Sequence, residues 1–362
     1  MGERIDVTVV VPCYNTETYL DQALSSIEAN DRCSLEVLAV NDGSTDGSLD
    51  IMRAHEAADS RVRVIDKPNQ GYGATVNRGF SEARGTYVAI VEPDDWVEPH
   101  MYDDLVDYAR TFSPGLGADA PDLVKSPYWR VVGCNTGEER RLSCVYYGRV
   151  RPAHQPFVLA DAPRMVRHHP SIWSALYRRD FLREKGVRLM EVPGAGWVDT
   201  PFAWDAACAA SRIVYLERPY YCYREDLAGS SSNRRIGPLS FRRWGNVADV
   251  VERRGVTDRG VIEALYYVGL RYVTGARREG SLDDADVEPP LTAMCRRMDP
   301  EVVAGLTDAS PAARAFVLER GGHAVPRMSR LPYLASLAGE FAWSCRTNGV
   351  GFALSRVGLA LR

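Results

Sequence analysis

The stretch Thr86–Pro99, TYVAIVEPDDWVEP, decides how this chain folds. Val88, Ala89, Ile90 and Val91 form an apolar run with no water-facing position, the pattern of a short strand covered on both faces. The run stops at Glu92, Pro93, Asp94 and Asp95, followed by Trp96. Three carboxylates at the carboxyl end of a buried strand repel one another and lose hydration unless positive charge sits among them. A hard divalent cation with oxygen ligands supplies that charge, and one holding phosphate oxygens keeps part of its shell open. The alternative is a solvated acidic turn that starts the next helix, where Asp and Glu suit the helix dipole.

Upstream, Ile5–Val11 is a β-branched, nearly continuous apolar run, which reads as a central parallel strand ending in Pro12, Cys13, Tyr14 and Asn15. Thr16 is placed to cap a helix whose apolar positions are Leu20, Ala23, Leu24 and Ile27. Leu35–Val40 is a second strand ending in Asn41, Asp42 and Gly43, with a helix after Thr45 or Asp46. Arg61–Ile65 is a third; the loop from Asp66 to Gly73 leads into a helix through Ala83, with Gly85 as its closing glycine. Four alternations of strand and helix in under about a hundred residues imply a mostly parallel sheet flanked by helices, an α/β fold. In such sheets ligands sit outside the carboxyl ends of the strands. Here those ends carry Tyr14, Asp42, the loop after the third strand and the acidic turn.

Downstream, Met101–Phe112 has helical spacing, and Asp122–Val132, Ser143–Arg149 and Ser171–Tyr177 read as strands of mixed direction. A short helix follows at Arg179–Lys185, then the Gly-rich loop Pro193–Trp197 and a helix from Thr200 to Ala210 with Asp199 at its start. Ile213–Leu216 and Tyr220–Tyr223 close this part. From Pro238 the pattern becomes long helices, so the domain boundary is expected near Ser232: a first domain over 1–232, a helical region over 233–330, and a tail over 331–362. The tail mixes Leu, Phe and Trp with Arg346, Arg356 and Arg362, against a single acid, Glu340. It reads either as an amphipathic helix on an anionic membrane face or as a terminal helix packed on its own domain.

The totals narrow the class. With 362 residues, 45% hydrophobic and 25% charged, the composition is globular, and a net charge of −4 gives no reason to expect nucleic acid as a partner. Eight cysteines without a CxxC pair argue against zinc and redox motifs and fit a reduced, cytoplasmic setting. Neither a secretory signal nor a membrane-spanning run is visible. Gly71-Tyr-Gly73-Ala-Thr-Val76 approaches a dinucleotide fingerprint but lacks the third glycine and follows the third strand, not the first.

Three ordered motifs, VTVVVPCYN, NDGSTDGS and the strand ending in EPDDW, resemble the family 2 glycosyltransferases of the GT-A (Rossmann-like) fold. SIWSALYRRDFL, VPGAGWVDTPF and YYCYREDLAGSSS resemble that family's acceptor-side segments, so the likeness runs over about residues 5–232. The resemblance implies an inverting, metal-dependent transfer from a nucleoside-diphosphate sugar, a UDP-sugar above all, to a glycan or lipid-linked acceptor at the inner face of the cell membrane. It implies that Pro12, Tyr14 and Asn15 shape the uridine pocket and that Asp42 accepts from the uracil. Asp94 would hold Mn2+ or Mg2+ with Glu92 and Asp95 assisting, and Lys67 and Asn69 would touch the nucleotide. Trp197 would wall the sugar site, and Arg224, followed by Ser230, Ser231 and Ser232, would add charge at the diphosphate; the alternative for Arg224 is a surface ion pair with Glu225 or Asp226. Asp199 would be the catalytic base, with Val198 as an apolar neighbour. His168 and His169 lie where acceptor-facing residues occur in the family, but are expected to be structural. Glu92 stands where relatives usually carry Asp, and Val76 where many carry Arg. A non-catalytic nucleotide-sugar-binding protein of the same fold is the rival reading.

Overall fold

The apolar runs form the strands they predict. In the computed structural model, β1 (Val7–Cys13) and β2 (Leu35–Asp42) are buried along their whole length. They pair in parallel with each other, β1 pairs with β4 (Tyr87–Ile90), and β2 pairs with β3 (Val62–Lys67), also in parallel. Helices α1 (Glu17–Glu28), α2 (Ser48–Ala58) and α3 (Tyr72–Glu82) connect them, which brings all four carboxyl ends to one edge. Helix α1 buries Leu20, Ala23, Leu24 and Ile27, the face its spacing predicts.

The structure describes residues 4–134, 136–227 and 235–360, the side chains of 356–360 excepted. It consists of two units, Met1–Leu227 and Ala228–Arg362. The boundary expected near Ser232 falls outside the described residues.

In the first unit, β5 (Trp96–Val97) and α4 (Met101–Phe112) follow the acidic turn. Then come β6 (Leu123–Lys125), β7 (Tyr128–Val132), β8 (Arg140–Ser143), β9 (Ala175–Arg178), α5 (Arg179–Lys185), α6 (Asp199–Ala209), β10 (Ile213–Tyr215) and β11 (Tyr221–Arg224). The main sheet has the order β10-β6-β9-β4-β1-β2-β3, with β9 antiparallel to both neighbours. A second sheet, β5-β11-β7-β8, lies after the acidic turn in sequence.

Several expectations need correction. The run Asp122–Val132 is two strands, not one, broken between Lys125 and Tyr128 and sent to different sheets. Residues 144–149, expected as strand, turn instead, with Tyr147 N–H donating to the Cys144 carbonyl and Arg149 N–H to that of Tyr146. Ser171, expected to open a strand, has a left-handed φ of 40°, so the strand begins only at Ala175. Gly85 does not close α3, which ends at Glu82 before an extended Ala83. It is needed for contact: a Cβ there would lie 2.5 Å from the backbone nitrogen of Thr8, and its own N–H donates to Thr8 Oγ1 at 2.8 Å.

The glycines of Gly71-Tyr-Gly73 likewise serve packing. Gly71 has φ of 91°, and a Cβ on it would lie 2.4 Å from the Val192 carbonyl oxygen; one on Gly73 would lie 2.0 Å from that of Met190. The chain from 189 to 194 thus rests directly on the start of α3. Tyr72 N–H donates to the Gly194 carbonyl at 3.1 Å, and Asn77 exchanges bonds with Leu189, 2.9 Å to its carbonyl and 3.1 Å from its N–H. The buried Val76, where an arginine was looked for, is core.

Lys125, at the end of β6, is buried and donates to the Ser171 carbonyl and to the hydroxyls of Ser171 and Ser174, both at 2.8 Å. These partners are neutral oxygens, and burial brings the amine down to about 7.

The second unit is helical: α7 (Pro238–Arg253), α8 (Arg259–Glu279), α9 (Glu288–Arg297), α10 (Pro300–Gly305), α11 (Pro311–Gly321), α12 (Leu331–Asn348) and α13 (Val350–Ala360). Asp258 and Asp299 cap α8 and α10 through their carboxylates. Phe241, Trp244, Leu265, Leu291, Val303 and Val317 are among its buried core. No helix among the described residues is long and apolar enough to cross a membrane.

Two outcomes follow from this packing. Gly73→Ala forces backbone against backbone and should cost about 1–3 kcal/mol, read as a lower unfolding temperature. For Lys125 the depressed amine pKa means the unfolded chain binds the extra proton between pH 10.5 and about 7, so wild-type stability falls as pH drops through that window. Lys125→Met should therefore gain on wild type by ~3 kcal/mol between pH 10 and pH 7 in denaturant titrations. A pH-independent difference would contradict the buried neutral amine.

Candidate active site at the carboxyl edge of the sheet

The acidic turn after β4 treats its three carboxylates differently. Asp95 is fully buried and both its oxygens are committed: Tyr221 Oη donates to one at 2.9 Å and Arg224 N–H to the other at 2.7 Å. Burial holds its carboxyl well above the ordinary range. Glu92 accepts a short hydrogen bond from the Tyr72 hydroxyl, and its backbone N–H donates to Tyr221 Oη at 3.0 Å. Burial, reinforced by the charges of Asp94 and Asp199 against the opposing Tyr72 bond, pushes Glu92 up to about 8. Asp94 is also raised by burial, with the charge of Arg224 pulling the other way. Its carbonyl accepts from Arg224 Nε at 2.9 Å, while no side chain among the described residues bonds its carboxylate.

Arg224 does not form the alternative surface ion pair with Glu225 or Asp226. It is buried between the rings of Tyr19 and Trp96, 4.6 and 4.7 Å from their centroids, and donates to Gln22 at 2.8 Å. Glu225, its supposed partner, pairs with Arg130 through two bonds of 2.7 Å, and Asp226 accepts from Gly133 N–H. The guanidinium latches the acidic turn to α1. Ser230, Ser231 and Ser232 lie outside the described residues.

On the strands to one side, Asp42 is buried and pairs with Lys67, while also accepting from Gln70 N–H at 2.9 Å and Gly71 N–H at 3.0 Å. It anchors the loop after β3, and any bond to a base would be added to three already made. Lys67 is likewise spent on that pair. Asn69 is exposed on the loop, its backbone nitrogen against Gly43. Pro12 is buried within β1, and Tyr14 beyond it is 51% exposed, open to a ligand rather than packed at the strand end. Asn15 takes a left-handed φ of 55° and joins the neighbouring loop, accepting from Thr45 N–H at 2.8 Å and donating its own N–H to Ser44 Oγ at 3.1 Å.

Asp199 is the first residue of α6, after a buried Val198 and a half-buried Trp197 with φ of 50°. Its charge acts on Glu92, Tyr72 and Tyr177, so it shares one electrostatic neighbourhood with the acidic turn. Sequence reading missed Tyr72 and Tyr221, the hydroxyls that sort Glu92 from Asp95; the alternation in YYCYR, which turns Tyr221 and Tyr223 to one face, was the available signal for the second. His169 Nδ1 accepts from Ser171 N–H at 3.0 Å, and its ring lies 5.3 Å from that of Tyr223. A surface trio of Asp31, His100 and Asp103 has metal-like spacing, but Asp103 already accepts from the Arg32 and Cys33 N–H groups and from His100.

Comparison with known proteins agrees with this geometry. The family model for glycosyl transferase family 2 matches residues 8–143. The uncharacterized glycosyltransferase YibD of Escherichia coli is 35% identical over 292 residues, 77% of this chain and 81% of its own. The putative glycosyltransferase EpsH of Bacillus subtilis is 31% identical over 226 residues, 61% of either chain, so the match spans about three-fifths of that relative. S. aureus TarS residues 1–349, solved in complex with UDP-GlcNAc, superposes with a TM-score of 0.69 at 18% identity, covering 92% of this chain and 89% of that one, a likeness of fold. The strand-end motifs, the sheet they build and these relatives agree, and the chain belongs to the family 2 glycosyltransferases.

Proposed function

We propose that the protein transfers a sugar from a UDP-sugar to a hydroxyl of a cell-envelope glycan or glycolipid, by one inverting displacement at the cytoplasmic face of the membrane. The observation that carries the reading is the electrostatic coupling of Asp199 to Glu92: the candidate base and the candidate diphosphate site belong to one cluster. The UDP-GlcNAc bound by TarS supports the choice of donor.

The chemistry assigns different work to the two ends of the cluster. Asp199 takes the proton from the attacking hydroxyl, general-base work that a carboxylate at a helix start can do while still solvated on one side. Tyr14, half open to solvent, stacks on the uracil, and Trp197 walls the sugar. A divalent cation, Mn2+ or Mg2+, fits the donor set: Asp94 offers an unbonded carboxylate, Glu92 can release its proton, and Asp95, with both oxygens spent, supports the turn from behind. Such a cation would stabilise the charge that grows on the leaving diphosphate. Trp173, in the turn before β9, stacks on Tyr221 with ring centroids 3.9 Å apart and backs the hydroxyl that serves Asp95.

The test is donor hydrolysis and transfer measured with a panel of UDP-sugars and manganese. Asp199→Asn should lower kcat by about 10²–10⁴ while leaving UDP affinity unchanged. Wild-type turnover in that variant would remove Asp199 from the mechanism. Asp94→Ala should weaken manganese-dependent UDP binding on the order of tenfold or more by calorimetry; equal affinities with and without the metal would reject the cation site. UDP binding with no turnover of any donor would favour the non-catalytic reading instead.

A further inference from the structure

The second unit ends in two helices that do not bury what their sequence offers to bury. Helix α12 has no buried residue along its 18 positions. Of the nine large hydrophobic side chains that stand exposed among the described residues, six belong to α12 and α13: Leu331 at 75%, Leu334, Leu337, Phe341, Val350 and Leu354. The other three, Tyr14, Val158 and Val325, are scattered. On α12 the exposed set is ordered. Leu331, Leu334, Ala338 and Phe341 recur at intervals of three and four, with the half-buried Cys345 next in the series and Leu337 beside them, so they share one stripe on the helix. The stripe faces outward: Leu334 is 54% and Leu337 45% exposed. The opposite side of α12, which includes Glu340, is half-buried, and α12 packs against α13. The hairpin is formed, and its apolar face is left over.

Charge identifies what covers that face. From Arg327 to Arg362 the sequence has five arginines, no lysine and one acid, in a chain whose net charge is −4. Arg327, Arg330 and Arg346 are exposed, two just ahead of α12 and one in its last turn. Two copies of such a face would bring like charges together on association. An anionic surface would not, and an apolar stripe edged with arginine on a helix too polar to span a bilayer is the composition of a helix lying in the membrane interface. We infer that the α12–α13 hairpin is a docking surface for an anionic lipid bilayer, with Leu331, Leu334, Leu337 and Phe341 entering the headgroup–acyl boundary and Arg327, Arg330 and Arg346 on the phosphates. The inference uses no residue of the transferase site.

Sedimentation of the full chain with vesicles tests it, without substrates. Wild type should pellet with phosphatidylglycerol vesicles at low salt, lose most of that binding at high salt, and stay in solution with phosphatidylcholine. Leu334→Asp combined with Phe341→Asp, at positions 54% and 36% exposed, should weaken pelleting at least tenfold, with the unfolding temperature measured alongside to show that the fold is kept. Arg327→Glu with Arg330→Glu should weaken it in the same direction. Absence of pelleting with the anionic vesicles, or equal pelleting with both lipids, would overturn the inference. So would a wild-type dimer in light scattering that fails to pellet and that the Leu334/Phe341 pair makes monomeric, which would give the face to a second copy.

Discussion

Four carboxylates, those of Glu92, Asp94, Asp95 and Asp199, meet around the acidic turn, and most of the local architecture answers their repulsion. Two unit charges about 4 Å apart in surroundings of effective dielectric ~20 interact by about 4 kcal/mol, against total stabilities of about 5–15 kcal/mol. The protein does not bring in an opposing side-chain charge for each. Asp95 is covered by one hydroxyl and one backbone N–H. Glu92, raised to about 8, is mostly protonated at neutral pH and contributes little charge until something displaces its proton. Asp199 keeps partial contact with solvent at the start of a helix, where the dipole favours an anion. The Asp94 carboxylate meets no side-chain hydrogen bond among the described residues. Under the proposed metal-assisted transfer, a cation on Asp94 would favour release of the Glu92 proton.

The second sheet makes this arrangement possible. Strand β11 sends Tyr221 to Asp95 and to the N–H of Glu92, while the next residue but two, Arg224, meets Asp95 with its backbone and the Asp94 carbonyl with its side chain. Pairing of Cys222 with Trp96 fixes the register that brings both to the turn. The cation of Arg224 is held without an ion pair, by two aromatic faces, a carbonyl and an amide.

Much of this was legible in the sequence because it rests on local pattern. The strands β1 to β4, the face of α1, and the ends of α4 and α5 follow from apolar periodicity and breaker residues, and the motifs lie at the strand ends that carry Asp42 and the acidic turn. What escaped was set by contacts between distant segments. Nothing near Gly85 says that its neighbour is Thr8, so a glycine after a helix looks like a cap. The split between β6 and β7 depends on which sheet each half joins. Arg224 could be recognised as charged and well placed but not as enclosed, since Tyr19, Gln22 and Trp96 come from three other stretches. The buried Lys125 lies in a run that reads as strand, and its serine partners are almost fifty residues away.

Tyr72 shows how the two halves of the site are made to depend on each other. Its N–H holds the Gly194 carbonyl, and so the segment that leads to Trp197 and Asp199; its hydroxyl holds Glu92 on the acidic turn. The flanking Gly71 and Gly73 admit the 189–194 backbone so closely that no side chain could stand there. A glutamate rather than an aspartate at 92 extends the carboxyl by one methylene away from the strand, toward α3, and the bond it makes there ends on the same residue that fixes the Asp199 segment. Movement of either half would therefore be felt at Tyr72. The Tyr72 hydroxyl donates to Glu92 whichever way that carboxyl is protonated, and the bond is the stronger one when Glu92 is charged, so the tie between the turn and the Asp199 segment holds in both states.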